Sequence, residues 1–365
     1  MTTNMHEQQA LQGIRQKIDE TDLQIQALLN KRVAMAQEVA QIKIANGEQA
    51  DFYRPDREAM LLRQVMERNQ GPLSDEEMAR LFREVMSACL AAEKPLQVAY
   101  LGPEGSYTQA AALKQFGGSI ELQAMATIAD VFHAVETSVT NYGVVPVENS
   151  TEGMVSHTLD RFLSSSLNIN GEVSMRIHHY LLSNETDIMS INTIYAHPQA
   201  LAQCRQWLIK NIPNAELIST SSNSEAAKIV MNTANSAAIA ANQAAEIYNL
   251  SVLASTIEDE ADNTTRFIVI GTQAVAPSGV DKTALLVSTK NKPGALQTLL
   301  KPLSDKGISM TRIESRPSRK GIWEYVFFID IEGHRRDEAV AEALQILERE
   351  SSMCRVLGSY PKAVI

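Results

Sequence analysis

Arg15, Arg32 and Lys43 lie along a stretch, Ile14 to Asn46, that holds no glycine or proline. They interrupt an apolar stripe of Ile14, Ile18, Ile25, Leu28, Leu29, Met35, Val39 and Ile42. Arg32 and Lys43 are eleven residues apart, which at about 100° per residue puts them within roughly 20° of each other on a helix. Arg15 and Arg32 are seventeen apart, and the same arithmetic puts them on different faces. Arg32 and Lys43 can therefore converge on one small anion, while Arg15 serves another site. On this helix alone a simpler reading competes: such cations reach solvent or pair with Asp19, Asp22 and Glu38.

At ~1.5 Å per residue this stretch is about 50 Å long as one helix. A compact domain of roughly 90 residues is only about 25–30 Å across. The stripe cannot be buried within one compact monomer and needs a partner chain.

The 365 residues suggest two or three domains, and 44% hydrophobic content allows real cores. A net charge of −10 and a pI near 5.3 argue against nucleic-acid binding and against a polybasic membrane anchor. An anionic ligand must then be met by local clusters of Arg and Lys. The start, MTTNMHEQQA, has no apolar signal core, and no apolar run is long enough to span a bilayer; a cytoplasmic location is expected. Cys89, Cys204 and Cys354 form neither a disulfide framework nor a zinc site. No HExxH, P-loop or GxGxxG occurs, and no metal or cofactor is expected.

Three segments must position these residues. In the first, residues 1–95, the long helix is followed by a second starting at Tyr53-Arg54-Pro55 and a third capped by Ser74-Asp75-Glu76-Glu77. The module is all-helical. In the second, 96–275, short strands at Val98–Leu101, Gly143–Val147, Ile194–Ala196, Ala237–Ala240 and Arg266–Gly271 alternate with helical stretches at 105–116, 127–140, 199–210 and 224–233. That pattern predicts an α/β fold with ligands at strand ends, long enough for two lobes around a cleft. After a linker, Ala276–Gly279, residues 281–365 read strand, helix, strand, strand, helix, strand, a ferredoxin-like α+β module.

Four motifs in the middle segment carry a resemblance: Gly102-Pro103-Glu104-Gly105-Ser106-Tyr107, Val145–Gly153, Ala196-His197-Pro198-Gln199 and Asn263-Thr264-Thr265-Arg266-Phe267. With the segment order, they make nearly the whole chain resemble the bifunctional P-protein family. There a chorismate mutase is joined to a prephenate dehydratase with a C-terminal ACT domain. The resemblance implies an intertwined helical dimer or higher homo-oligomer and a two-lobed dehydratase domain like periplasmic binding proteins. It implies chorismate and prephenate as substrates, phenylpyruvate as product and phenylalanine as feedback inhibitor, with no nucleic acid or membrane partner.

Carried over residue by residue, the resemblance makes Arg15, Arg32, Lys43 and Arg57 the mutase cations, with Arg15 supplied by the partner subunit, and Glu58 the hydroxyl-binding carboxylate. Chorismate rearrangement is pericyclic, so the site needs to hold a compact conformer and stabilise charge on the ether oxygen. Arginine forks suit the two carboxylates, and Lys43 would hydrogen-bond the ether oxygen. Three positions depart from the family pattern. Tyr53-Arg54-Pro55 stands where an aspartate is expected, Cys89 replaces a serine, and Glu93 replaces a glutamine that donates to the ether oxygen. An ionised glutamate cannot donate, so Glu93 is expected to be protonated during turnover.

For the dehydratase, the resemblance places Thr265 against the leaving hydroxyl, as a proton relay or only to orient the group. Glu148 is the other candidate acid. Arg266 is expected to hold the side-chain carboxylate or brace the loop; gripping the departing ring carboxylate would favour the ground state. Ser106, Asn149, Ser150, Thr151, His197 and Phe267 are expected cleft residues, and the pair His178-His179 is read as structural. In the last segment Asn291, Gly294, Ala295, Leu296, Glu314 and Ser315 match the phenylalanine-binding motifs. A competing reading is a sensor protein, because two-lobed clefts and ACT modules also serve binding alone; the helical trio and the Thr265-Arg266-Phe267 run speak against it.

Overall fold

The computed structural model describes residues 2–46, 53–260, 262–289, 293–317 and 325–365. Helix α1 (Thr2–Ala45) is a single rod, on the order of 65 Å long at 1.5 Å per residue. Its apolar stripe stays in solvent: Ile14, Ile18, Leu28, Met35 and Val39 are each at least half exposed. Only its C-terminal part meets α3 (Asp75–Glu93), where Arg32 Nη1 donates to Cys89 Sγ at 2.8 Å and Gln37 Nε2 to the Ala92 carbonyl at 3.3 Å. Between them, α2 (Pro55–Glu67) begins on a proline, whose fixed φ suits a first helical position. Ser74 caps α3 by accepting from the Glu77 amide. Leu62, Ala79 and Met86 form the small helical core, and Val364 and Ile365 close over it.

The middle segment folds as two lobes. The first has β1 (Gln97–Leu101), β2 (Glu121–Met125), β3 (Tyr142–Asn149), β4 (Gly153–Met154) and β5 (Asn168–Arg176). The chain then crosses into the second lobe, with β6 (Tyr180–Ser183), β7 (Thr193–Ala196), β8 (Glu216–Ser219), β9 (Ser236–Ala240) and β10 (Ser251–Ala254). It returns through β11 (Thr264–Gly271), which inserts antiparallel between β3 and β5. The orders are β2-β1-β3-β11-β5, with β4 on β3, and β10-β6-β9-β7-β8. Two crossings leave a cleft between the sheets, and β3 and β11 end at it. Helix α4 (Tyr107–Phe116) follows β1.

The last segment pairs β12 (Asp281–Thr289), β13 (Met310–Pro317), β14 (Tyr325–Glu332) and β15 (Met353–Pro361) in the order β13-β14-β12-β15, all antiparallel. Helices Ala295–Asp305 and Glu338–Glu350 cover one face. Ala284, Leu286, Phe328 and Leu357 pack on the other face with Val145, Leu159 and Ile268 of the first lobe. The two sheets thus share one core. They come so close at Gly358 that a Cβ there would meet the Ile169 carbonyl oxygen at 2.2 Å. The linker is pinned rather than loose, because Arg63 on α2 donates to the carbonyls of Ser278 and Val280. No helix among the described residues is long and apolar enough to cross a membrane.

Candidate active sites

A cavity of about 500 Å³ lies where α1, α2 and α3 meet. Arg32, Lys43, Arg57, Glu58 and Glu93 all line it, with an apolar floor that includes Leu61 and Met86. Arg15 does not: it projects from the exposed part of α1, roughly 25 Å along the axis from Arg32. Glu58 is buried and takes a hydrogen bond from Arg83 Nε at 3.2 Å. Burial raises its pKa to about 7, with Arg83 pulling the other way. Burial also raises the Glu93 pKa, opposed by Lys43.

The departures from the family pattern have physical accounts here. Cys89 offers its sulfur to Arg32 where a hydroxyl is usual. Tyr53 is buried in the neighbouring lobe, with ring centroids 5.1 Å from Phe116 and 5.3 Å from Tyr142, and its hydroxyl accepts from Gln115 at 3.0 Å. It anchors the helical module to the middle segment. Next to it, Arg54 clamps the buried Asp56 through two hydrogen bonds.

The interlobe cleft encloses about 260 Å³. Ser106, Asn149, His197, Thr265 and Phe267 line it, as do Tyr107, His179, Gln203 and Asn263, which the sequence reading left out as ligands. No Asp, Glu, Lys or Arg is among the lining residues. The first turns of three helices, Tyr107–Phe116, Pro198–Gln203 and Asn223–Val230, open onto it instead. Their positive dipole ends bring positive potential to the cleft without a formal charge, although Ser106, His197 and Ser222 each cap one first-turn amide.

Thr265 sits at the end of a hydrogen-bond chain whose direction can be derived. Asn149 Oδ1 accepts from the backbone amides of Thr151 and Glu152 at 3.0 and 3.1 Å. The amide orientation is therefore fixed, and Nδ2 must donate, to Thr265 Oγ1 at 2.8 Å and to Asn263 Oδ1 at 2.9 Å. Asn263 Nδ2 then donates to Gln203 Oε1 at 3.2 Å. His179 Nε2 lies 2.8 Å from the same oxygen, and Tyr107 Oη, which donates to the His178 carbonyl at 2.9 Å, also lies 2.9 Å from His179 Nδ1. Burial lowers the His179 pKa and keeps the ring neutral. Two results follow. The Thr265 oxygen accepts from Asn149, and no acceptor for its own hydrogen is found among the described residues, so that hydrogen is available to a ligand in the cleft. Gln203 Nε2 is buried with no protein partner and is available to a ligand.

Several expectations change. Glu148 and Arg266 turn away from the cleft, because alternation along β3 and β11 sends neighbours of Asn149 and Thr265 to the opposite face. There Arg266 pairs with Glu148, Glu172 and Asp330, so neither residue reaches the reacting groups. Ser150 and Thr151 are not cleft liners either. Ser150 bridges the Asp262 carbonyl and the Thr264 amide, and the Thr151 amide orients Asn149. Ser106 and His197 line the cleft as helix caps. The two histidines do point apart: His178 binds Glu258 at 2.7 Å, and that leaves His179 free to enter the cleft.

In the last segment Gly294 adopts a left-handed φ of 76° and opens the helix that begins with Ala295 and Leu296. Glu314 and Ser315 lie on β13. Asn291 lies outside the described residues.

Three family models match in register with these sites: chorismate mutase type II over residues 14–94, prephenate dehydratase over 98–275, and the ACT domain over 283–349. A bifunctional chorismate mutase/prephenate dehydratase from Stutzerimonas stutzeri is 54% identical over 99% of this chain and 100% of that protein.

The chain belongs to the bifunctional chorismate mutase/prephenate dehydratase family.

The relative of the same name from Pseudomonas aeruginosa is 52% identical over the same shares. A crystal structure of prephenate dehydratase from Arthrobacter aurescens in complex with L-Phe superposes with a TM-score of 0.68 at 34% identity, covering 73% of this chain and 90% of that one. The helical cavity thus falls in the chorismate mutase domain and the interlobe cleft in the prephenate dehydratase domain. The four-stranded sheet falls in the ACT domain.

Proposed function

We propose that the helical cavity converts chorismate to prephenate, that the interlobe cleft converts prephenate to phenylpyruvate, and that phenylalanine inhibits by binding the ACT domain. In the first step Arg32 and Arg57 hold carboxylates, Glu58 accepts from the substrate hydroxyl, and Lys43 with protonated Glu93 donates to the ether oxygen. Charge developing on that oxygen in the transition state is what these donors favour. Arg15 reaches the cavity of a second copy. The exposed stripe on α1 supports such an intertwined dimer, because an apolar face this long is costly in water.

In the second step the bond from the ring to its carboxylate breaks, carbon dioxide leaves, and the electron pair enters the ring. The ring hydroxyl departs with one added proton as water, and the ring becomes aromatic. Thr265 directs its hydrogen at the leaving oxygen, and solvent restores the proton. Neutral donors and helix ends suit a substrate whose ring carboxylate must lose its charge, since a guanidinium there would hold it back.

The observation that carries this reading is the Thr265 hydroxyl, which lines the cleft and is held by Asn149 through its oxygen. Thr265→Ala is expected to lower dehydratase kcat by more than about 100-fold and to leave mutase activity unchanged. A loss below about tenfold would refute the role.

A further inference from the structure

On the opposite face of β3 and β11 from Asn149 and Thr265 lies a cluster of three cations and three carboxylates, mostly buried, with Glu148 partly exposed. Glu148, Glu172 and Arg266 come from β3, β5 and β11 of the dehydratase domain; Lys282, Arg312 and Asp330 come from β12, β13 and β14 of the ACT domain. Arg266 Nη2 lies 2.8 Å from Asp330, its Nη1 3.2 Å from Glu172 and its Nε 3.4 Å from Glu148. Lys282 holds the other oxygen of Glu172 at 2.7 Å. Arg312 Nη1 lies between Asp330 at 3.5 Å and Glu148 at 3.6 Å.

The charges balance only across the interface. The dehydratase domain contributes two carboxylates and one cation, the ACT domain two cations and one carboxylate. Asp330 and Glu172 have side chains only 5% and 4% exposed, so loss of a partner leaves a charge in a poorly solvated place. The cluster is also loosely closed. Arg266 Nε and Arg312 Nε and Nη1 are buried without a hydrogen bond to protein, and a shift of β13 by less than ~1 Å would make or break their contacts.

Chain connectivity takes this cluster to the reaction. Arg266 is bonded to Thr265, Glu148 is bonded to Asn149, and Asn149 donates to Thr265. On the ACT side, Arg312 shares a face of β13 with Glu314, two residues along, and Arg316 on that face docks on Ser156 and Asp160. We infer that Asp330 and Arg312 are positioning residues for the dehydratase step, and that an effector bound beside Glu314 reaches Thr265 through them. This deepens the reading of Thr265 given above and rests on it.

The test uses the full chain. Asp330→Asn is expected to lower dehydratase kcat about tenfold, with KM for prephenate within about twofold and mutase kcat unchanged. The fold by which saturating phenylalanine inhibits should shrink, although equilibrium dialysis still shows phenylalanine bound. Asp330→Glu keeps the charge and should recover most of kcat. Arg312→Gln, a milder change, should reproduce the weakened inhibition if Asp330→Asn does not fold. Normal dehydratase kcat and normal inhibition in both neutral variants would overturn the inference. Thr265→Ala run alongside separates the two failures: if it stays active the site reading falls, and if it is inactive while both neutral variants are normal, only this inference falls.

Discussion

Arg83 joins two catalytic domains at one carboxylate. Its Nε lies 3.2 Å from Glu58 Oε1, and its Nη1 donates at 2.8 Å to the carbonyl of Lys114 on α4. The carboxylate assigned to the chorismate hydroxyl is therefore aimed by a guanidinium braced on the dehydratase domain. Arg83→Ala is expected to cost the mutase at least about tenfold in kcat/KM while dehydratase activity stays near normal. Arg83→Lys should not rescue it, because a single ammonium cannot span both partners in the forked geometry. Steady-state assays of both reactions on the same preparation check this.

The same carboxylate sets a pH dependence of stability. Glu58 is pushed up to about 7 from 4.5 by burial, so the folded chain binds its proton more tightly than the unfolded chain does. Its contribution is fully present below about pH 4.5 and is lost as pH rises through about 7. The amount is on the order of 3 kcal/mol at most. Urea unfolding of Glu58→Gln should show a flatter slope across that window than the unmodified chain. An unchanged slope would remove Glu58 as its source.

Glu93 is expected to set the pH dependence of mutase activity. Burial raises its pKa while Lys43 opposes, and only the protonated form can donate to the ether oxygen. Mutase kcat/KM should fall as pH rises through that raised pKa, and Glu93→Gln should flatten the profile. A profile already flat from about pH 5 to 8 would contradict it.

Gly358 tests the shared core. A Cβ there would lie 2.2 Å from the Ile169 carbonyl oxygen, and backbone cannot move aside cheaply. Gly358→Ala should destabilise the chain by ~2–3 kcal/mol and weaken phenylalanine control, measured by thermal unfolding with and without phenylalanine.

Much of this was legible in residues. The glycine- and proline-free run from Ile14 gave a long helix with an exposed stripe, and Ser74 marked the start of α3. The order strand, helix, strand, strand, helix, strand after the linker was legible as well. Strands β2, β4, β5, β6, β8 and β10 were missed: β2, β8 and β10 are short edge strands with much exposed surface, whereas β5 is largely buried yet carries Asn168, Asn170, Gly171 and Glu172, which break its apolar signal. The outward turn of Arg266 and Glu148 follows from period-two alternation once Thr265 and Asn149 face inward. The cleft presents helix ends and amides in place of a cation, and its hydrogen-bond chain depends on contacts between Asn149 and residues 114 and 116 positions away. No local pattern carries that.

The proposed mutase site draws Arg15 from a second chain. Its most direct test mixes Arg15→Ala with Arg32→Ala after joint refolding and assays chorismate consumption. Each variant alone should be nearly inactive as a mutase yet fully active as a dehydratase. In random dimers about a quarter of the sites receive both arginines, so mutase activity should return to about a quarter of normal. No recovery in a mixture shown to have exchanged subunits would contradict the shared site.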